Sequence, residues 1–191
     1  MDDLAAIALP AGYERLLARS RDAAFTMNSD VLTGSLLRTL AASKPGGALL
    51  ELGTGCGLGT SWLLDGMNDA ASLISVDTDP RVQAIAAGAF ARDARLTLLL
   101  EDGADFLAST DRRFDLIYAD AWPGKYSHLD DALRLLKPGG IYVADDMLPQ
   151  PNWPEGHGAA AAALIGQFEQ MADFAVTKLA WSTGVILAVR R

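Results

Sequence analysis

Four glycines, at positions 53, 55, 57 and 59, alternate directly behind the apolar run Ala48–Leu52. A buried strand that runs into such a segment must turn sharply and restart as a helix, here near Leu58, because glycine gives the backbone the bends and close approaches this needs. Four glycines are more than a tight turn alone requires. Downstream, the short apolar runs Leu73–Asp77, Leu96–Leu100, Phe114–Ala119 and Ile141–Ala144 are separated by helical stretches, the pattern of βαβ units and a parallel sheet.

The remaining segments fit around that sheet. Asp79-Pro80 supplies an N-cap followed by proline at the first helical position, for a helix running to about Ala91. Another helix fits Ser127 to Leu136, stopped by Lys137-Pro138-Gly139-Gly140, and a last one fits Gly158 to Met171. Ahead of the sheet, Tyr13, Leu16 and Leu17, then Val31, Leu32, Leu36, Leu37 and Leu40, recur at helical spacing and predict two helices ended by Lys44-Pro45-Gly46-Gly47. Phe174–Trp181 and Val185–Val189, about a Ser182-Thr183-Gly184 turn, predict an antiparallel hairpin. The expected fold class is α/β: a doubly wound, mainly parallel seven-stranded sheet with N-terminal helices over 1–44 and an α/β core over 45–191. At 191 residues, half of them hydrophobic, a single domain is expected.

Charge narrows the partners. A net charge of −8, with basic residues scattered, argues against a nucleic-acid backbone and against an anionic membrane. No apolar run approaches the about 20 residues of a spanning helix. The start Met1-Asp2-Asp3 lacks the basic opening of a secretory signal, so a cytoplasmic location is expected. The single cysteine, Cys56, excludes an internal disulfide and reads as packing.

The glycine spacing also discriminates between cofactors. A nicotinamide fingerprint needs a third glycine five positions after the first, yet that position is Leu58 counted from Gly53 and Thr60 counted from Gly55. Asp77 closes the second strand, where a carboxylate can accept both hydroxyls of a nucleoside ribose. Its other reading is a helix-initiating Asp, a need that Asp79 already meets.

The segment Glu51-Leu52-Gly53-Thr54-Gly55-Cys56-Gly57 resembles the E-x-G-x-G-x-G of class I S-adenosylmethionine-dependent methyltransferases. Phe114-Asp115-Leu116-Ile117-Tyr118-Ala119-Asp120 and Leu135-Leu136-Lys137-Pro138-Gly139-Gly140-Ile141 resemble the fourth strand and following turn of that superfamily, and the resemblance covers roughly residues 25 to 190. Within it, the chain is most similar to the catechol-type and related small-molecule O-methyltransferases. The resemblance implies a Rossmann-like methyltransferase fold with S-adenosylmethionine held by Glu51, Gly53, Thr54, Gly55 and Gly57, and by Asp77 and Thr78 at the ribose. Asp102, Gly103 and Ala104 would face the adenine, although Asp102 reads equally as a solvated loop acid. Thr26-Met27-Asn28-Ser29 resembles the loop laid over the cofactor, which adds Met27 and Ser29, and Asp120-Ala121-Trp122 resembles a metal-binding Asp with an aromatic beside the adenine.

Val143-Ala144-Asp145-Asp146-Met147-Leu148 resembles the second metal segment, usually Asp-Asn. Asp120, Asp145 and Asp146 are thus the implied ligands of Mg²⁺ or Ca²⁺, weighed against the common gathering of acids at the carboxyl ends of parallel strands. The pattern departs from the family at Pro123, where catechol-type enzymes carry a lysine base. Lys125 lies two residues further on and is the candidate catalytic residue with Asp120; His128 is a second proton acceptor to consider, and Tyr126 sits where the family often has tyrosine. His157, after Pro151-Asn152-Trp153-Pro154-Glu155-Gly156, reads as a solvent-exposed helix entry. The implied reaction is metal-assisted O-methylation of a small hydroxylated molecule, in a homodimer as relatives often are. Competing readings are a methyltransferase on RNA or protein, a nicotinamide-dependent oxidoreductase and a non-catalytic S-adenosylmethionine-binding module.

Overall fold

In the computed structural model, which describes residues 4–5, 7–151 and 153–191, the alternating pattern becomes one seven-stranded sheet with helices on both faces. Met1-Asp2-Asp3 and Asn152 lie outside the described residues. Helices α1 (Tyr13–Asp22) and α2 (Val31–Ala42) precede β1 (Ala48–Leu52), α3 (Leu58–Gly66), β2 (Ser72–Asp77), α4 (Pro80–Phe90) and β3 (Leu96–Leu100). Then come α5 (Gly103–Ser109), β4 (Phe114–Ala119), α6 (Leu129–Arg134), β5 (Leu136–Ala144), α7 (His157–Gln170), β6 (Phe174–Leu179) and β7 (Val185–Arg190). The strand order is β3-β2-β1-β4-β5-β7-β6, with β7 antiparallel to both neighbours and the other pairs parallel.

Neighbouring residues on the central strands explain the two layers. Leu50, Ile117 and Tyr142 face a core closed by Phe106 of α5, Leu133 of α6 and Leu164 and Phe168 of α7. Leu49, Leu116 and Val143 face the opposite core, closed by Tyr13, Leu37, Trp62 and Val82 of α1 to α4. A strand buried on both faces needs apolar residues at every position, which is why these runs show no alternation. Among the described residues, no helix is long and apolar enough to cross a membrane.

One sequence expectation is corrected, and one helix is added. Lys137-Pro138-Gly139-Gly140 is not a turn between a helix and a strand: β5 already begins at Leu136, paired with Phe114, and the register shifts between Phe114 and Leu116. Gly139, at φ 73°, absorbs the irregularity. Residues 103–109, for which the sequence predicts no element, form α5, with Asp102 as N-cap accepting from the Ala104 N–H at 2.7 Å. Reversal of winding between β1 and β4 leaves a crevice at their carboxyl ends, the place where open α/β sheets bind ligands.

Candidate active site

The glycine turn closes one side of that crevice. Gly53 has φ 101°, and a Cβ there would stand 2.7 Å from the Asp120 carbonyl oxygen, so the ends of β1 and β4 approach as only glycine allows. Asp77 ties the turn to β2: its Oδ2 accepts from the Gly55 N–H at 2.7 Å and its Oδ1 from the Asp79 N–H at 2.8 Å. Each oxygen keeps a lone pair for a ligand. Thr54 is buried, sharing a 2.6 Å hydrogen bond with Ser75.

Glu51, only 1% exposed, points into the base of the turn. Its Oε2 accepts from Thr60 Oγ1 at 2.5 Å and Ser75 Oγ at 2.6 Å, while Oε1 has no partner. Burial pushes this carboxyl up to about 8, against the opposing pull of the Ser75 and Thr60 hydroxyls. A Cβ on Gly59 would lie 2.7 Å from the orphaned Oε1, and Gly59 itself lines the cavity above.

The other side is a loop from the N-terminal helices. Asn28 Nδ2 donates to Ser20 Oγ at 2.8 Å and to the Phe25 carbonyl at 3.2 Å, folding residues 25–29 over the crevice and leaving Met27 70% exposed. Ser29 Oγ shares a 3.0 Å hydrogen bond with Tyr118 OH and donates to Asp120 Oδ2 at 3.4 Å.

Between these walls lie two adjoining cavities. One, of about 400 Å³, runs along the glycine turn from Phe25 to Asp77, Thr78 and Asp79. The second, of about 320 Å³, is lined by Asp145, Asp146, Lys125, Tyr126, Trp153 and His157 among others. Met27, Asn28, Ser29, Asp120, Ala121 and Trp122 line both. A larger open depression by Asp69, Phe90 and Arg95 lies at the opposite, amino end of β3, away from the crevice.

The structure thus brings Met27, Ser29, Gly53, Thr54, Gly55, Asp77, Thr78, Asp120 and Trp122 to one cavity, with Glu51 beneath it. Gly57, at φ 91°, is the N-cap of α3. Asp102, Gly103 and Ala104 are not on the lining; Asp102 is spent capping α5. Cys56 lines the cavity but is buried, and burial pushes its thiol up, away from nucleophile chemistry. Exposed His128, the left-handed N-cap of α6, is not on the second cavity, whereas Lys125 is, only 4% exposed. His157 is not a solvent-exposed helix entry: it is 8% exposed and forms part of the wall.

The second cavity has an acidic floor and an aromatic wall. Asp145 accepts from Thr183 Oγ1 at 2.6 Å, the Asp146 N–H at 2.7 Å and Thr33 Oγ1 at 3.4 Å on Oδ1, and from Tyr118 OH at 3.2 Å on Oδ2. Asp146 adopts a left-handed φ of 59° that turns its carboxylate outward, where Oδ2 accepts from Trp153 Nε1 at 2.8 Å and stands 3.7 Å from His157 Nε2. Burial, then the charge of Asp145, holds the Asp120 carboxyl above the usual carboxylate range, with Lys125 pulling the other way. Trp153 stacks on His157 at 4.3 Å, and His157 Nε2 shares a 2.9 Å hydrogen bond with Tyr126 OH. Thr33, Tyr118, Trp153 and Thr183 were outside the sequence-derived site, because each joins it from a different element. Thr183→Ala removes the shortest hydrogen bond to the buried Asp145 and is expected to cost about 1–2 kcal/mol in urea denaturation.

The chain's likeness to known proteins runs through these same segments. A sequence profile described as a methyltransferase domain matches residues 50–147. A Mycobacterium avium protein assigned by name as an O-methyltransferase is 33% identical over 139 residues, 68% of this chain and 63% of the relative. The chain therefore spans less than two thirds of the length of that relative. A Mycobacterium ulcerans protein of the same assignment is 30% identical over 93% of this chain and 85% of the relative. The crystal structure of an O-methyltransferase from Bacillus cereus in complex with SAH has the same fold, with a TM-score of 0.84 over 98% of this chain and 94% of that one at 19% identity.

Proposed function

The chain belongs to the methyltransferase-domain family, and on that premise we propose that it is an S-adenosylmethionine-dependent O-methyltransferase acting on a small hydroxylated molecule. The observation that carries this reading is the wall shared by the two cavities, Met27–Ser29 and Asp120–Trp122, which sets a cofactor-sized space against an acceptor-sized one. When bound, S-adenosylmethionine supplies a methyl group for in-line displacement by oxygen, the carbon–sulfur bond breaking as the carbon–oxygen bond forms. The cavity fits this donor: the unpartnered Oε1 of Glu51 leaves a buried carboxyl that a cationic ligand would favour in its ionised form, and Asp77 offers two acceptors to a ribose.

Chemistry beyond the donor falls to the chain's own side chains. Asp120, on the shared wall and held in place by Ser29, is positioned to take the acceptor's hydroxyl proton. Lys125, in the same cavity, places a cation where it can stabilise the forming oxyanion. Trp122, Trp153, Tyr126 and His157 exclude water and offer flat faces to an acceptor ring.

Asp120, Asp145 and Asp146 do not fit a divalent cation. Both oxygens of Asp145 are engaged by protein donors, the Asp146 carboxylate is turned to Trp153, and among the described residues no group of three or more acidic, His or Cys side chains is gathered as a metal site. No step is assigned to a metal.

Methyl-labelled S-adenosylmethionine offered with a panel of catechols and other phenols tests the reading. Label is expected on an acceptor oxygen, at a rate indifferent to chelator; a protein that binds the donor and labels none of the panel supports the non-catalytic binding module instead. Asp77→Ala is expected to weaken S-adenosylhomocysteine binding by about 10–100-fold in calorimetry, through lost charge-assisted hydrogen bonds and a loosened turn.

A further inference from the structure

We infer that Lys125 is the resident cation of the acceptor cavity, so that the pocket works with a protein ammonium in the place where the family resemblance implies a divalent metal. This goes beyond the proposed reaction and rests on it only for what the pocket accepts. Three observations carry it. Lys125 is 4% exposed yet lines the same cavity as Asp120, Asp145 and Asp146, and its charge acts on both Asp120 and Asp145. Burying an ammonium is costly unless anions face it, so those carboxylates compensate Lys125 as much as it compensates them.

Second, the carboxylates have other partners. A hard dication takes six or more oxygens and needs carboxylate lone pairs directed to one point. Here four donors from Thr33, Tyr118, Asp146 and Thr183 converge on Asp145 instead. The left-handed backbone at Asp146 aims its carboxylate at Trp153 and His157.

Third, the lysine is anchored by its backbone. Its N–H donates to the Trp122 carbonyl at 3.2 Å, Tyr142 OH donates to the Gly124 carbonyl at 2.6 Å, and the Nζ stands 4.9 Å from the Tyr126 ring centroid. A dication entering this pocket would meet an ammonium whose backbone is fixed at its base and whose Nζ lies against an aromatic face.

Titration of Mn²⁺ into the full chain, followed by the electron paramagnetic resonance signal of the free ion, reads occupancy without any methyl transfer. Wild-type protein and Lys125→Arg are expected to bind no stoichiometric Mn²⁺ below about 1 mM, whereas Lys125→Met, which leaves the carboxylates uncompensated, is expected to bind it at least about tenfold more tightly than wild type. One-to-one binding to wild type that is lost in Asp120→Asn overturns the inference. So does a folded Lys125→Met whose Mn²⁺ affinity is unchanged. Either result leaves the proposed methyl transfer standing, and absence of methyl transfer leaves the metal result standing.

Discussion

Gly53→Ala is expected to lose about 2–4 kcal/mol of stability and to bind S-adenosylhomocysteine at least about a hundredfold more weakly. Two effects add at this position. The backbone at φ 101° is one that L side chains avoid, and a methyl group there would meet the Asp120 carbonyl oxygen at 2.7 Å. Relief requires β1 and β4 to move apart at their carboxyl ends, which is the edge shared by both cavities. Gly139→Ala is the control: its φ is 73°, but nothing lies within 4 Å of the added carbon, so only the backbone strain of about 1–2 kcal/mol remains and binding is unaffected. Equal losses of binding in the two variants would show that the close approach at Gly53 has no bearing on the ligand.

Glu51→Gln is expected to remove a large part of the fall in stability between weakly acidic and alkaline pH, the buried Asp120 and Asp145 carboxyls carrying the rest. The Glu51 carboxyl, ordinarily at 4.5, is pushed up to about 8 by burial, so the folded protein holds this proton more tightly than the unfolded chain. Its stabilising contribution is therefore fully present below pH 4.5 and is lost as pH rises through about 8. Wild type and Glu51→Gln should unfold alike at about pH 5, whereas at about pH 9 the variant should be more stable by roughly 2–4 kcal/mol in the absence of ligand. The same variant puts an amide where a bound cation would favour an ionised carboxyl, so donor binding should weaken even as stability rises. Parallel pH curves for the two proteins would place the ionisation elsewhere.

The core of this fold was legible because its strands are buried on both faces. β1, β3 and β4 stand at Ala48–Leu52, Leu96–Leu100 and Phe114–Ala119, where the apolar runs placed them. The glycine turn was legible for a related reason, since close backbone approach restricts residue type. Legibility ended where long-range pairing overrides local signals. Lys137-Pro138-Gly139-Gly140 carries every mark of a turn, yet the pairing of Leu136 with Phe114 extends the strand through it. α5 is only seven residues long, too short for periodicity to show, and its one local sign, Asp102, fits a solvated loop acid or a ligand contact as well as an N-cap.

The acceptor cavity was the least legible part. Its carboxylates are strand-end residues, visible in sequence, but what they do depends on Thr33 from α2, Tyr118 from β4, Thr183 from the hairpin turn and Trp153 from the loop before α7. None of these residues has a spacing that links it to Asp145 or Asp146. The same blindness made His157 look like surface, when the stacking of Trp153 is what buries it.

Calorimetric titration of S-adenosylhomocysteine into the full chain decides whether a nucleoside cofactor seats on the glycine turn, on which the roles of Glu51, Gly53, Asp77 and Asp120 all depend. The expected result is one-to-one binding in the micromolar range, weakened in Asp77→Ala and Gly53→Ala and unchanged in Gly139→Ala. Absence of binding to the folded wild-type protein at millimolar ligand would contradict it.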